Sequence, residues 1–189
     1  MLTTTPVFLY NYSRNSTKNR CDMKVCFIGH RNVNKTEKLY LLLKETIKTL
    51  INQGATSFFF GSKSNFDNLS WEIVTELKSI FPFLKRIYVR SAYQNIKKFY
   101  SDYLLKFYEE TYFPKKIEKA GRYSYVERNY EMIDNSDYCI FYYNENYEPE
   151  PKISKKAYFP QKIKSGTKIA YEYAVNKNKN IINLFKQKN

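Results

Sequence analysis

No apolar run in this chain of 189 residues approaches the ~18 consecutive residues needed to cross a bilayer. The sequence therefore contains no transmembrane helix, and a membrane partner is not expected. Cysteine is scarce as well. Cys21, Cys26 and Cys139 form neither a paired framework nor a metal-binding spacing. Cys26 and Cys139 both sit inside apolar runs and read as buried thiols in a reducing cytoplasm. There is a single histidine, His30. No metal site and no cofactor is expected. The N-terminal stretch MLTTTPVFLYNYSRNSTKNR lacks a continuous hydrophobic segment and a small-residue cleavage pattern, so it does not read as a secretory signal. Acidic residues are few: 18 Asp and Glu stand against 32 Lys and Arg, for a formal charge of +14.

What is present is enough to fold. Apolar residues make up 43% of the chain and aromatic residues 18%, which excludes disorder throughout and suits one medium domain with a substantial core. The positive charge favours polyanionic partners: nucleic acid, phosphorylated small molecules or anionic membrane. It also has a compositional reading. Lys, Asn, Ile and Tyr are enriched together, as expected of an AT-rich genome, and the lysines are scattered rather than gathered in one block.

Residues 1–22 read as a flexible tail and residues 23–189 as the domain. Met23 directly precedes the first buried strand, so it is a candidate for the true start. Beyond it, short apolar runs alternate with amphipathic stretches. Strands are expected at 25–29, 57–61, 86–90, 111–113, 138–143 and 181–185. Helices are expected over 36–53, 67–80, 95–109, 126–135 and 167–176, the first stopped by Gly54. In the third helix Ile96, Phe99, Tyr100, Tyr103, Leu104 and Phe107 recur at helical spacing and are expected to face the core. Residues 144–164 carry three prolines and no clear period, a long loop of the kind that is often functional. The alternation predicts an α/β fold: a Rossmann-like, doubly wound, mainly parallel sheet with helices on both faces, in a single domain.

In such sheets ligands sit outside the carboxyl ends of the strands. Those ends are unusual here. Gly29-His30-Arg31 follows the first strand, and Gly61-Ser62 followed by Asp67 follows the second. Arg128-Asn129 precedes the fifth strand, Asn144 follows it, and Ser165-Gly166-Thr167 opens the last helix. Gly29 permits a sharp turn or close approach of a ligand. Gly61-Ser62 and Ser165-Gly166-Thr167 would present free N–H groups to an anion at a helix start. Arg31 and Arg128 could grip a phosphate or carboxylate in a bidentate manner. Asp67 is either a ligand contact or the cap of its helix. His30 either contacts a ligand or holds another loop in place.

Four segments in this order resemble the SLOG superfamily of Rossmann-like domains, which includes the LOG-type phosphoribohydrolases and DprA, and within it most closely the small standalone YpsA-like branch. They are CFIGHR (26–31), GSKSNFDNLSWE (61–72), RNYEMIDNSD (128–137) and SGTKIAYEYA (165–174). The second resembles a Gly-x-x-x-Gly-x-Asp…Glu pattern, with Gly61, Asp67 and Glu72 at its fixed positions and Asn65 where the second glycine is usual. Ser165 replaces the first glycine of the Gly-Gly-Thr turn. Lys168, Ile169 and Ala170 stand where the LOG-type enzymes carry a glutamate pair, so their reaction does not carry over.

The resemblance implies a pocket for a nucleotide or nucleotide-derived phosphorylated ligand, in a sensor or processing module. The set of binding residues expected is Gly29, His30, Arg31, Gly61, Ser62, Asp67, Arg128, Asn129, Asn144, Ser165, Gly166 and Thr167. Two further readings stay open. One is a hydrolase acting at an N-glycosidic bond, with Glu72 or Asp67 as the acid or base. The other is single-stranded nucleic-acid binding, from the charge and the tyrosine-rich segment 88–130. Self-association is also left open.

Overall fold

In the computed structural model, residues 22–61, 64–148 and 164–185 are described here. Ser62, Cys21, nearly all of the expected tail and most of the 144–164 loop lie outside them. The element order is β1 (Met23–Gly29), α1 (Glu37–Asn52), β2 (Ala55–Phe60), α2 (Asn65–Ile80), β3 (Lys85–Val89), α3 (Lys98–Leu104), β4 (Glu110–Tyr112), α4 (Ser124–Asp134), β5 (Tyr138–Tyr142), α5 (Gly166–Asn176) and β6 (Asn180–Asn183). Two short 3-10 turns, Lys115–Ile117 and Gly121–Tyr123, lie between β4 and α4. Among the described residues no helix is long and apolar enough to cross a membrane.

The six strands form one sheet in the order β4-β3-β2-β1-β5-β6, and every pairing is parallel. The chain starts at the centre with β1 and winds out through β2, β3 and β4. It then returns to the other side of β1 with β5 and β6. This is a doubly wound, Rossmann-like α/β domain, and the reversal of strand order lies between β1 and β5.

β1 is a continuous apolar run because it is buried on both faces. Successive side chains of a strand point to opposite faces. Val25 and Phe27 pack with Leu39, Leu43 and Ile47 of α1 and with Phe66, Leu69 and Ile73 of α2. Cys26 and Ile28 pack with Met132 and Ile133 of α4 and with Ala170 and Ala174 of α5. Each large apolar side chain buried this way contributes roughly 1.5–3 kcal/mol. Cys26 and Cys139 are buried free thiols, as expected, and lie side by side across the β1–β5 ladder.

The helix ends follow local chemistry. The Thr36 hydroxyl accepts from the N–H of Leu39 at 3.2 Å and caps α1. Gly54 closes that helix at φ 112°, a left-handed value that glycine adopts without steric penalty.

The third helix departs from expectation. It covers only Lys98–Leu104, not 95–109, and of the apolar residues expected to face inward only Leu104 is buried there. Its N-cap position holds Lys97, which makes no side-chain cap bond, and its first turn has no acidic residue. With neither a cap nor a core to cover most of its apolar side, a segment of that length has little to hold it helical.

Candidate functional site

The carboxyl ends of β1, β2 and β5 meet around the reversal point. His30, just past β1, is buried. Its Nε2 accepts a hydrogen bond from the backbone N–H of Asn144 at 2.9 Å. In the neutral ring this places the proton on Nδ1, which has no hydrogen-bond partner among the described residues. The Asn144 carbonyl oxygen, 3.2 Å from Nε2, could accept only from the protonated ring. Burial pushes the His30 pKa down, and that carbonyl opposes it. The Tyr147 ring stacks on the imidazole at 3.9 Å between centroids. His30 thus ties the segment after β5 to the end of β1.

The two strand-end glycines are required by protein rather than by open space. A Cβ on Gly29 would lie 2.5 Å from Cγ and Cδ1 of Phe66, in the first turn of α2. A Cβ on Gly61 would lie 2.7 Å from Cδ and 2.8 Å from Nη1 of Arg128. Arg128, on α4, is buried. Its Nη1 donates to the Gly61 carbonyl and its Nε to Asn129 Oδ1 at 3.1 Å. Burial lowers the Arg128 pKa, and the neighbouring Asp67 carboxylate works against that shift.

Asp67 is also buried, in the first turn of α2. It is not the helix cap. Ser64 is, its Oγ accepting from the Asp67 N–H at 3.0 Å. Burial, with Asp67 nearby, raises the pKa values of Tyr88 and Tyr108. Asp67, Arg128, Tyr88 and Tyr108 therefore form one electrostatically linked group under the ends of β2 and β3.

The two helix starts differ in what they leave open. At α2 the Asn65 N–H is taken by the Arg31 carbonyl at 2.9 Å and the Asp67 N–H by Ser64. At α5 the Ser165 Oγ takes the Lys168 N–H at 3.1 Å and the Ser165 carbonyl takes that of Ile169. The N–H groups of Gly166 and Thr167 have no hydrogen-bond partner among the described residues, and a Cβ on Gly166 would meet nothing within 4 Å.

Arg31 lies exposed at the same edge. Glu72 is half exposed, and its carboxylate pairs with Lys35 of the loop after β1 at 2.8 Å. Among the described residues no three His, Cys, Asp or Glu side chains cluster so as to hold a metal ion.

One strand-end residue was overlooked in the sequence. Arg90 follows β3, its Nη1 donating to the carbonyls of Tyr93 at 2.7 Å and Gln94 at 3.3 Å. Its buried Nε has no hydrogen-bond partner among the described residues. The strand-end rule that singled out Arg31 applies equally to Arg90.

The YpsA family model, described as the YspA SLOG family, matches residues 24–176. No curated protein matches the chain significantly. Among solved structures the chain is similar to DNA processing protein A from Helicobacter pylori, reported for its single-stranded DNA binding mode, at 18% identity and a TM-score of 0.48. That similarity covers 85% of this chain and 64% of the other. The extent of the family match, over all but the two ends, places this chain in the YpsA family of SLOG proteins.

Proposed function

We propose that the chain binds a nucleotide or nucleotide-derived phosphorylated ligand across the carboxyl ends of β1, β2 and β5. The observation that carries this reading is the unequal state of the two helix starts at that edge. At the α2 start the Arg31 carbonyl takes the Asn65 N–H and Ser64 that of Asp67, so only the Phe66 N–H lacks a partner among the described residues, whereas the α5 start keeps two such N–H groups and a Cβ on Gly166 would meet nothing within 4 Å. A phosphate is the group such a start accommodates, through the N–H donors and the helix dipole. The phosphate therefore belongs at Gly166-Thr167, and not equally at both turns. Arg31 supplies exposed positive charge. Asp67 and Arg128 form the buried polar floor that orients the sugar end. Membership of the SLOG family supports a nucleotide-like ligand.

No catalytic role is assigned. Glu72 is engaged by Lys35 on the surface, and Asp67 sits beside Arg128 in the floor. The proposal is one of binding.

The test is thermal unfolding with adenosine, AMP and ADP. At a ligand concentration of about 100 Kd the stabilisation is about 2.7 kcal/mol. For a domain of this size that raises Tm by roughly 5–10 °C. Gly166→Trp should leave the unliganded Tm unchanged within a degree or so, because that position is open, and should abolish the shift by AMP and ADP. Stabilisation that survives Gly166→Trp, or is as large with adenosine as with AMP, would refute the placement.

A further inference from the structure

The strand-end site absorbs neither the strained segment after β3 nor the aromatic surface beside it. Tyr93 holds φ 60°, a value bulky side chains seldom adopt, and the residue is 76% exposed. The backbone is fixed in that shape by Arg90, whose guanidinium binds the carbonyls of Tyr93 and Gln94. Gln94 is in turn tied to Glu118 at 2.5 Å. Next comes α3, where Phe99 is 82% and Tyr103 48% exposed. Tyr100 and Tyr103 lie nearly parallel, 12° apart, and Phe107 meets the Tyr103 ring edge-on at 5.2 Å between centroids.

We propose that this surface, from Tyr93 along α3 to Phe107, is a stacking platform for single-stranded nucleic acid. Solvent-facing aromatic rings are costly to leave bare, and a contiguous set of them marks an interaction surface. The charge around it selects the occupant. Lys97 and Lys106 are exposed at the two ends of α3 and make no ion pair among the described residues, and the whole chain carries +14. Lys98 pairs with Asp102 on the same helix at 2.8 Å, so Lys97 and Lys106 leave this side with a net positive charge. A polyanion would neutralise them. The rings are then matched by unpaired bases, which stack on tyrosine and phenylalanine with little regard to sequence. A duplex keeps its bases stacked on one another and offers them no such faces. Holding Tyr93 in a strained backbone removes the entropy that a mobile loop would lose on binding. This reading is independent of the mononucleotide site at α5.

The test is fluorescence anisotropy of the full chain with a dye-labelled 20-nucleotide oligothymidylate and with a duplex of equal length. Binding of the single strand is expected at low salt. With a phosphate contact at each of these two lysines, affinity should fall roughly sevenfold between about 50 and 200 mM salt. Tyr100→Ala with Tyr103→Ala should weaken binding at least tenfold, since each base stacked on a ring is worth fivefold or more by that substitution. Tyr100→Phe with Tyr103→Phe keeps the rings and should bind within about twofold of the parent on the same grounds. Lys97→Gln with Lys106→Gln should flatten the salt dependence. Because these side chains are exposed, the variants should melt like the parent. The alanine pair should also keep the AMP-induced Tm shift, and Gly166→Trp should keep oligothymidylate binding, so each proposal fails separately. The platform is refuted by any of three results: no binding at low salt, duplex bound as well as single strand, or equal loss in the phenylalanine pair. Concentration-dependent dimerisation abolished by the alanine pair would assign the surface to self-association instead.

Discussion

Replacing Gly61 by alanine would set a methyl carbon 2.7 Å from Arg128 Cδ, 2.8 Å from Nη1 and 3.0 Å from Nε. No real Cβ tolerates the first two distances, so something must move. The Arg128 side chain is flexible in principle but is only 2% exposed, and its Nη1 is bound to the carbonyl of the mutated residue itself. Two responses are open. If the guanidinium stays, the overpacking costs about 1–3 kcal/mol. If it leaves, the charged hydrogen bond is lost at about 1.5–3 kcal/mol. It also leaves the neighbourhood of the Asp67 carboxylate, which favours its charged form. The two costs are alternatives and the cheaper response is taken, so a loss of about 1–3 kcal/mol is expected. With a urea m-value of about 2 kcal/mol/M, the midpoint should fall by about 0.5–1.5 M. Urea unfolding followed by circular dichroism measures this. Arg128→Ala removes all three crowded atoms, so adding Gly61→Ala to it should cost almost nothing more. The double-mutant cycle should then show a coupling of about 1–3 kcal/mol, beyond the ~0.5 kcal/mol scatter of independent sites. A Gly61→Ala variant as stable as the parent, or additive single changes, would refute the claim that Arg128 dictates glycine at this position.

The only histidine gives a clean pH test. Burial holds the His30 pKa below its ordinary 6.5, so His30 contributes stability that is full above about that pH and is lost as the pH falls through the folded value. Tm should decline as the pH drops below about 6.5, and His30→Gln should flatten that part of the profile; an unchanged slope would disprove the assignment. The helix caps should separate by burial. Ser64→Ala removes a buried cap and should cost toward 2 kcal/mol, whereas Ser165→Ala, at a half-exposed position, should cost nearer 0.5 kcal/mol in urea unfolding.

Much of the architecture was legible from local pattern. β1, β2 and β5 were found as apolar runs because central parallel strands are buried on both faces. α1 was bounded within a residue at each end, because Thr36 and Gly54 signal its two ends chemically. The third helix failed for the converse reason. Its tyrosines and phenylalanines follow helical spacing, but periodicity records only that rings share a side, not that any core lies against it. Asp67 was offered as a cap because it is a good capping residue, yet Ser64 occupies that position and leaves Asp67 inside the first turn.

The sequence by itself determined the order of strands and helices, the doubly wound class and membership of the family. All of these follow from periodicity, caps and short motifs, which act over a few residues. Only the tertiary structure decided what each edge residue does. His30 meets Asn144 from 114 residues away, and Arg128 reaches Gly61 across 67. Such partners are set by the parallel register and by which face each crossover helix covers. The same packing sets the Arg31 carbonyl on the first N–H of α2, leaves that of Gly166 at α5 without a partner among the described residues, and turns the aromatic row beside β3 toward solvent.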